Sequence, residues 1–322
     1  MRVTNKMLTN SFLTDMNTNL KNLQTLQQQM TSGKEIRKPS DDPARVARAM
    51  QLHTDINANK QYNKNISDTI NWLDTTDTAL GQAGNVLQRV RELLVSAGNA
   101  AYGSSERQSI KDEINQRIDE FAQILNTSFD GKYIFGGTRG TIKPMATSEI
   151  DSSVDTVNGK NKELIYNMDV PNANESIELN KINKKMFVEI SSGVTIDYNV
   201  AAGEVIEFDG KDLRQIFKNI VDHLDDENSV SKLTNEDLTD IEKAINNILK
   251  KRSEVGAKQN RMEAAKEKNE DESYNLTSIL SRTEDIDITQ KTMEYATLQT
   301  VYMASLQTSA KVLQPTLLDY LR

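Results

Sequence analysis

Apolar residues recur at steps of three and four near the start of the chain, at Leu13, Met16, Leu20, Leu23, Leu26 and Met30. That spacing lines them along one face of a helix. Gly33 follows and suits a left-handed cap at the helix end. In the next stretch, RKPSDDPA, Asp41 and Asp42 precede Pro43, which predicts an N-cap at Asp42 and a new helix starting at the proline. Residues 33–42 are therefore expected to be a turn between two helices. From Ile66 the pattern becomes a heptad. Ile66, Leu73, Leu80, Leu87 and Leu94 are seven apart, with Thr69, Thr76, Ala83, Val90 and Ala97 three after each. This is an a/d seam, and its small or β-branched d positions predict a close neighbouring helix. Each leucine fully buried there would contribute about 1.5–3 kcal/mol.

The seam stops at AAYGSSERQ, where Ser105 and Gln108 have capping-box spacing. Ile110, Ile114, Ile118, Phe121 and Leu125 make a third stripe, and the short connection predicts an antiparallel helix pair. The character changes near residue 130. DGKYIFGG and Pro144 are turn signals, and the period then falls to two at Leu164, Tyr166, Met168 and Val170, and at Val194, Ile196, Tyr198 and Val200. Asn158-Gly159 is a hairpin turn signal. Helix resumes with Leu213, Ile216, Phe217, Ile220, Val221 and Leu224. A very long helix follows, with Ile241, Ile248, Val255 and Met262 seven apart and partnered by Leu238 and Ile245. Its register shifts to Ile279, Ile286 and Met293, an insertion expected to change the local supercoil. The last stripe holds Leu298, Val301, Leu306, Val312 and Leu313, before Pro315.

The expected fold is mainly α with a β insertion: a long antiparallel helical rod or coiled coil formed by the N- and C-terminal segments, plus a small antiparallel β module. Residues 1–40 and 285–322 are predicted to be terminal arms, 41–140 and 211–284 the rod, and 141–210 the inserted outer module. The arms carry apolar stripes, and an isolated amphipathic helix is marginal in water. Leu13, Met16, Leu20, Leu23 and Met30, with Leu298, Val301, Leu306, Leu313 and Leu317, are therefore the candidate assembly interface. The layout suits a polymer subunit or a long-stalked interaction protein.

Composition narrows the chemistry. None of the five prolines lies between 44 and 143 or between 172 and 314, so both stretches can hold unbroken helix. A net charge of −8 without a basic cluster argues against a nucleic-acid partner. No apolar run is long enough to insert in a membrane, and the polar N-terminus does not read as a cleavable signal peptide. The absence of cysteine excludes disulfides and thiolate metal sites. His53 and His223 fall on helix surfaces, and neither a zinc motif nor a phosphate loop is present. Ser229 and Lys232 match S-x-x-K without the partner motifs that would make it catalytic. The acidic run Glu270, Asp271 and Glu272 reads as a solvated helix face. No catalytic, cofactor or metal site is expected, and the chain does not read as an enzyme.

Three segments carry a family resemblance. TSGKEIRKPSDDPA, residues 31–44, resembles the signature after the first helix of bacterial flagellins, in a form closer to the hook-associated proteins. KYIFGGT, residues 132–138, is similar to the YLFGGT segment of the hook-associated protein 3 family, and residues 280–322 resemble the closing helix of the flagellins. The resemblance implies a structural subunit of the bacterial flagellum, whose arms pair into an inner coiled-coil layer. It implies self-association into a ring joining a hook-side junction protein to flagellin. Delivery would be by an export chaperone and the flagellar type III export apparatus, to the extracellular hook–filament junction. A minor flagellin and a stalk-like adhesin displaying the β module are the alternative readings. LQRVRELLV, residues 87–95, and EINQR, residues 113–117, are similar to the flagellin region read by the flagellin-sensing Toll-like receptor, which implies a host-receptor face at Arg89, Leu93 and Glu113. Val90 and Leu94 take buried seam positions, so Arg89 and Leu93 are expected together on another, exposed face, beside Glu113 of the antiparallel helix.

Overall fold

A computed structural model describes residues 5–98, 103–150, 161–168, 175–226 and 229–312. The chain divides into two compact units, one from residues 1–60 with 271–322 and one from residues 61–270. The elements run α1 (Asn5–Ser32), α2 (Pro43–Ala97), α3 (Ser104–Leu125), β1 (Ser128–Phe129), β2 (Lys132–Tyr133), β3 (Met145–Ile150), β4 (Asn161–Tyr166) and α4 (Glu175–Ile182). They continue with β5 (Phe187–Ser191), β6 (Val194–Asp197), α5 (Ala202–Ile206), β7 (Glu207–Phe208), β8 (Lys211–Asp212), α6 (Leu213–Asp225) and α7 (Val230–Lys232). A π-helical turn, Leu233–Asp237, leads into α8 (Leu238–Glu284), and α9 (Ile288–Val312) follows. The strands form two-stranded antiparallel hairpins. The fold is thus mainly α with a β insertion.

In the unit formed by residues 61–270, the heptad seam is the core. Ile66, Leu73, Leu80, Leu87 and Leu94 are fully buried, as are Ile114, Ile118, Phe121 and Leu125 of α3. The six apolar residues of α6 and the α8 series Ile241, Ile248, Val255 and Met262 close the same core. Here α8 runs antiparallel to α2. Arg252 makes two 2.9 Å contacts with Asp77, and Arg91 reaches Glu242 at 2.9 Å, so positions rise along one helix as they fall along the other. Small side chains let the two approach: a Cβ added at Gly84 would sit 3.7 Å from Ile248 Cγ2.

The cap of α3 differs from the expected Ser105–Gln108 box. The helix starts at Ser104, and the Glu106 carboxylate accepts from the Gly103 N–H at 3.0 Å. Glycine has no side chain to complete the box, so only its N3-carboxylate half operates, two residues earlier.

The insert is less separate than its alternating pattern suggests. Leu164, Tyr166, Ile190 and Ile196 join the helical core. Lys111 of α3, 2 % exposed, donates to Asp225 of α6 at 2.6 Å, and the other Asp225 oxygen accepts from Asn161 of β4 at 3.1 Å. Asn115 accepts from the Lys162 N–H at 3.1 Å, and the Lys162 ammonium pairs with Asp119. A buried lysine must be paired to offset its lost hydration, so this network clamps the β3–β4 hairpin onto α3 and α6. The Asn158-Gly159 signal and Val170 lie outside the described residues.

KYIFGGT is the knot of this region. Ile134 and Phe135 are fully buried, the Phe135 carbonyl accepts from the Ala202 N–H, and the Lys181 carbonyl accepts from the Thr138 N–H, both at 3.0 Å. Gly137 has φ +56°, and a Cβ there would lie 2.2 Å from the Ile182 carbonyl oxygen. Arg139, also buried, donates to the carbonyls of Lys143 at 3.1 Å and Asn167 at 2.8 Å. Gly137→Ala should therefore cost at least about 2 kcal/mol, through both φ and the clash. Thermal unfolding followed by circular dichroism should show a fall of about 4–8 °C. An unchanged midpoint would mean that the knot does not hold the insert.

Candidate assembly surface

In the unit formed by residues 1–60 and 271–322, α1 and α9 pack against each other. Leu26 is buried at this pairing, and Met16, Leu23 and Met30 of α1 are half-buried, as are Tyr295, Leu298 and Tyr302 of α9. A second set stays in water. Leu13 is 36 % and Leu20 47 % exposed on α1, while Met293 is 62 %, Val301 43 %, Met303 53 % and Leu306 43 % exposed on α9. The spacing of the α9 residues carries apolar groups around the helix, so one partner cannot cover them. Among the expected interface residues, Leu313 and Leu317 lie outside the described part of the chain.

The turn at 33–42 has the expected local geometry. Gly33 has φ +71°, and its N–H donates to the Gln29 carbonyl at 2.8 Å, closing α1. The Asp41 carboxylate accepts from the N–H groups of Lys38 and Arg37, at 3.0 and 3.2 Å, which hold its pKa below the usual value. Asp42 accepts from Ala44 and Arg45 N–H groups, both at 3.1 Å, with Pro43 as the first residue of α2.

The very long terminal helix expected through Ile286 is interrupted. Helix α8 ends at Glu284, and Asp287 caps α9 by accepting from Thr289 and Gln290 N–H groups at 2.9 and 3.2 Å. The break pairs with the first turn. The Glu35 N–H donates to the Glu284 carbonyl at 2.7 Å, and the Ile286 N–H donates to the Gly33 carbonyl at 3.1 Å. Around this bridge, Lys34 pairs with the Glu284 carboxylate, His53 Nε2 lies 3.1 Å from its other oxygen, and Arg45 donates to the Thr283 carbonyl at 2.6 Å. Sequence reasoning missed Lys34, Arg45 and Glu284. The signal for the break was Asp287 three residues before Gln290, a capping spacing masked by the apolar stripe. Burial pushes the Glu284 carboxyl up, but the hydrogen bonds and charges of Lys34 and His53 outweigh it and leave the pKa below 4.5.

Arg89 and Glu113 come together, with Arg89 Nε donating at 2.8 Å to Glu113 and Nη1 at 2.9 Å to Glu92. Their mutual hydrogen bond raises the arginine pKa and lowers that of the glutamate. Leu93 does not join them on the surface. It is 6 % exposed and belongs to the core. Val86 and Leu93, one position before the a residues, are buried because α2 is flanked by both α3 and α8.

The model of the bacterial flagellin N-terminal helical region matches residues 3–139, and that of the C-terminal helical region matches residues 238–321. A flagellin of Clostridium tyrobutyricum is 25 % identical over 360 aligned residues, covering 92 % of this chain and 94 % of that one. In fold, the chain is similar to flagellar hook-associated protein 3 from Legionella pneumophila, with a TM-score of 0.58 at 15 % identity, covering 72 % of this chain and 98 % of that one. It is also similar to a structure of the flagellar junction protein FlgL from the same organism, with a TM-score of 0.54 at 15 % identity, covering 75 % of this chain and all of that one.

The junction should respond to acid. Because the folded-state pKa of Glu284 lies below its ordinary 4.5, the stabilisation is complete above that pH and is lost as pH falls through the lowered value. Amide exchange at Glu35 and Ile286 should stay slow down to pH 4.5 and quicken below it, relative to the intrinsic rate. Glu284→Gln should flatten that dependence, and a profile identical to wild type would remove Glu284 from the account.

Proposed function

The chain belongs to the bacterial flagellin family, and from that premise we propose that it assembles with itself into the junction layer between hook and filament. As a member of this family it is a structural component of the extracellular flagellum and not an enzyme. The observation that carries self-assembly is the apolar surface remaining on α1 and α9 after they have packed on each other. Further copies of the same helix pair would cover Leu13, Leu20, Val301 and Leu306. Leu313 and Leu317 extend the proposed interface beyond the described residues.

The junction position draws support from the proline-flanked Ser40-Asp41-Asp42 turn, the KYIFGGT knot and the fold likeness to proteins named as hook-associated and junction proteins. In this reading the layer meets a hook-side junction protein on one side and flagellin on the other. An export chaperone and the type III apparatus deliver the chain without a cleaved signal peptide. A minor flagellin is the second reading, supported by the near full-length flagellin relative.

Leu20→Asp combined with Val301→Asp should abolish assembly, read by sedimentation. Both sites are substantially exposed, so monomer stability should move by no more than about 0.5 kcal/mol per site. Assembly at the wild-type level would overturn the interface. Gold-labelled antibody on intact flagella should mark one point at the filament base, whereas labelling along the filament would establish the flagellin reading.

A further inference from the structure

A pocket of about 590 Å³ lies within the unit formed by residues 61–270, bounded by α2, the β1–β2 turn and the β5–β6 hairpin. Trp72 lines it and meets two rings edge-on, with centroids 6.1 Å from Phe129 and 5.7 Å from Tyr198. Phe187 adds an apolar surface that is 67 % exposed. The Trp72 indole N–H is buried without a hydrogen-bond partner. Asp68, Asp130 and Lys132 are the charged residues of the lining, and all three are exposed. Among the described residues, none of these three charges is engaged in an ion pair. Asn65 is committed to the wall, donating to the Glu189 carbonyl at 3.1 Å and accepting from Gln61 at 2.9 Å.

We propose that this pocket binds a neutral sugar ring. The volume is within the range of small-ligand sites, which combine apolar walls with a few polar groups. An anion would face two carboxylates, and a cation drawn to them would meet the Lys132 ammonium, which offsets part of that attraction. A neutral polyol meets neither repulsion and uses all three groups, its hydroxyls donating to Asp68 and Asp130 and accepting from Lys132. The C–H face of such a ring packs on Phe187 and Tyr198, where apolar contact supplies the attraction. The pocket is lined by residues of α2, the β1–β2 turn and the β5–β6 hairpin and uses none of the residues assigned to assembly, so this activity does not depend on the junction reading.

Trp72 is the only tryptophan in the chain, so emission excited at the red edge of the tryptophan band, clear of the nine tyrosines, reports on this pocket alone. The full-length protein would be titrated with the methyl glycosides of glucose, galactose, mannose and N-acetylglucosamine. Glucosamine and glucuronate provide the cationic and anionic comparisons. At least one neutral glycoside should change Trp72 emission saturably, with a Kd of about 1–10 mM. Phe187→Ala and Asp68→Ala, both at exposed positions, should each weaken that binding at least about fivefold. Three results would each overturn the proposal: no saturation by any neutral glycoside up to about 100 mM, tighter binding of a charged sugar, or unchanged affinity in both variants.

Discussion

A helix with apolar groups on more than one side cannot be satisfied by a single neighbour, and α9 is such a helix. Its pairing with α1 half-covers Tyr295, Leu298 and Tyr302 but leaves Met293, Val301, Met303 and Leu306 in water. The α1 stripe behaves likewise, with Leu26 buried and Leu20 exposed. In the proposed assembly, the remaining apolar area would drive association for the same reason that it would drive folding. The junction at Gly33–Lys34 and Asp285–Ile286 supplies the register. Two backbone hydrogen bonds fix where α1 ends relative to where α9 begins, so the exposed residues are presented in a defined pattern.

The unit formed by residues 61–270 is built on the opposite principle. Its seam is closed by α3, α6 and α8, and the insert seals the remaining core. Two charged groups taken into it are met by partners: Lys111 by Asp225, Arg139 by two carbonyls and Glu178. Removing one member of such a network leaves a buried charge unpaired, which costs far more than the pair contributes. Geometry therefore constrains this unit tightly, while hydrophobic area is left available in the terminal helices. This division suits a subunit that must hold its own shape before it meets others.

Much of this was legible in the sequence because helical stripes are a strong local signal. The seam from Ile66 to Leu94, the α3 series and the six apolar residues of α6 are buried where the periodicity placed them. What escaped depended on contacts distant in the chain. Leu93 reads as outward from the heptad alone, and it is buried because α2 has two neighbours. Lys111 looks like a surface lysine until Asp225, over a hundred positions away, is brought beside it. Helices α4 and α5 are too short to show a period. The break before α9 was hidden because Ile279, Ile286 and Met293 keep a seven-residue step across it. The pocket draws on three separated segments, of which only the one ending at Lys132 touches a motif.

The central claim is that the water-exposed apolar groups of α1 and α9 become buried between copies. The chain has no cysteine, so one introduced thiol can be followed without background. A cysteine replacing Val301 would be modified with a maleimide, first in dilute monomer and then in the assembled ring or polymer. The account predicts rapid modification in the monomer and, after assembly, the slow rate of a buried side chain. Equal rates in both states, at a position that remains in water throughout, would contradict it.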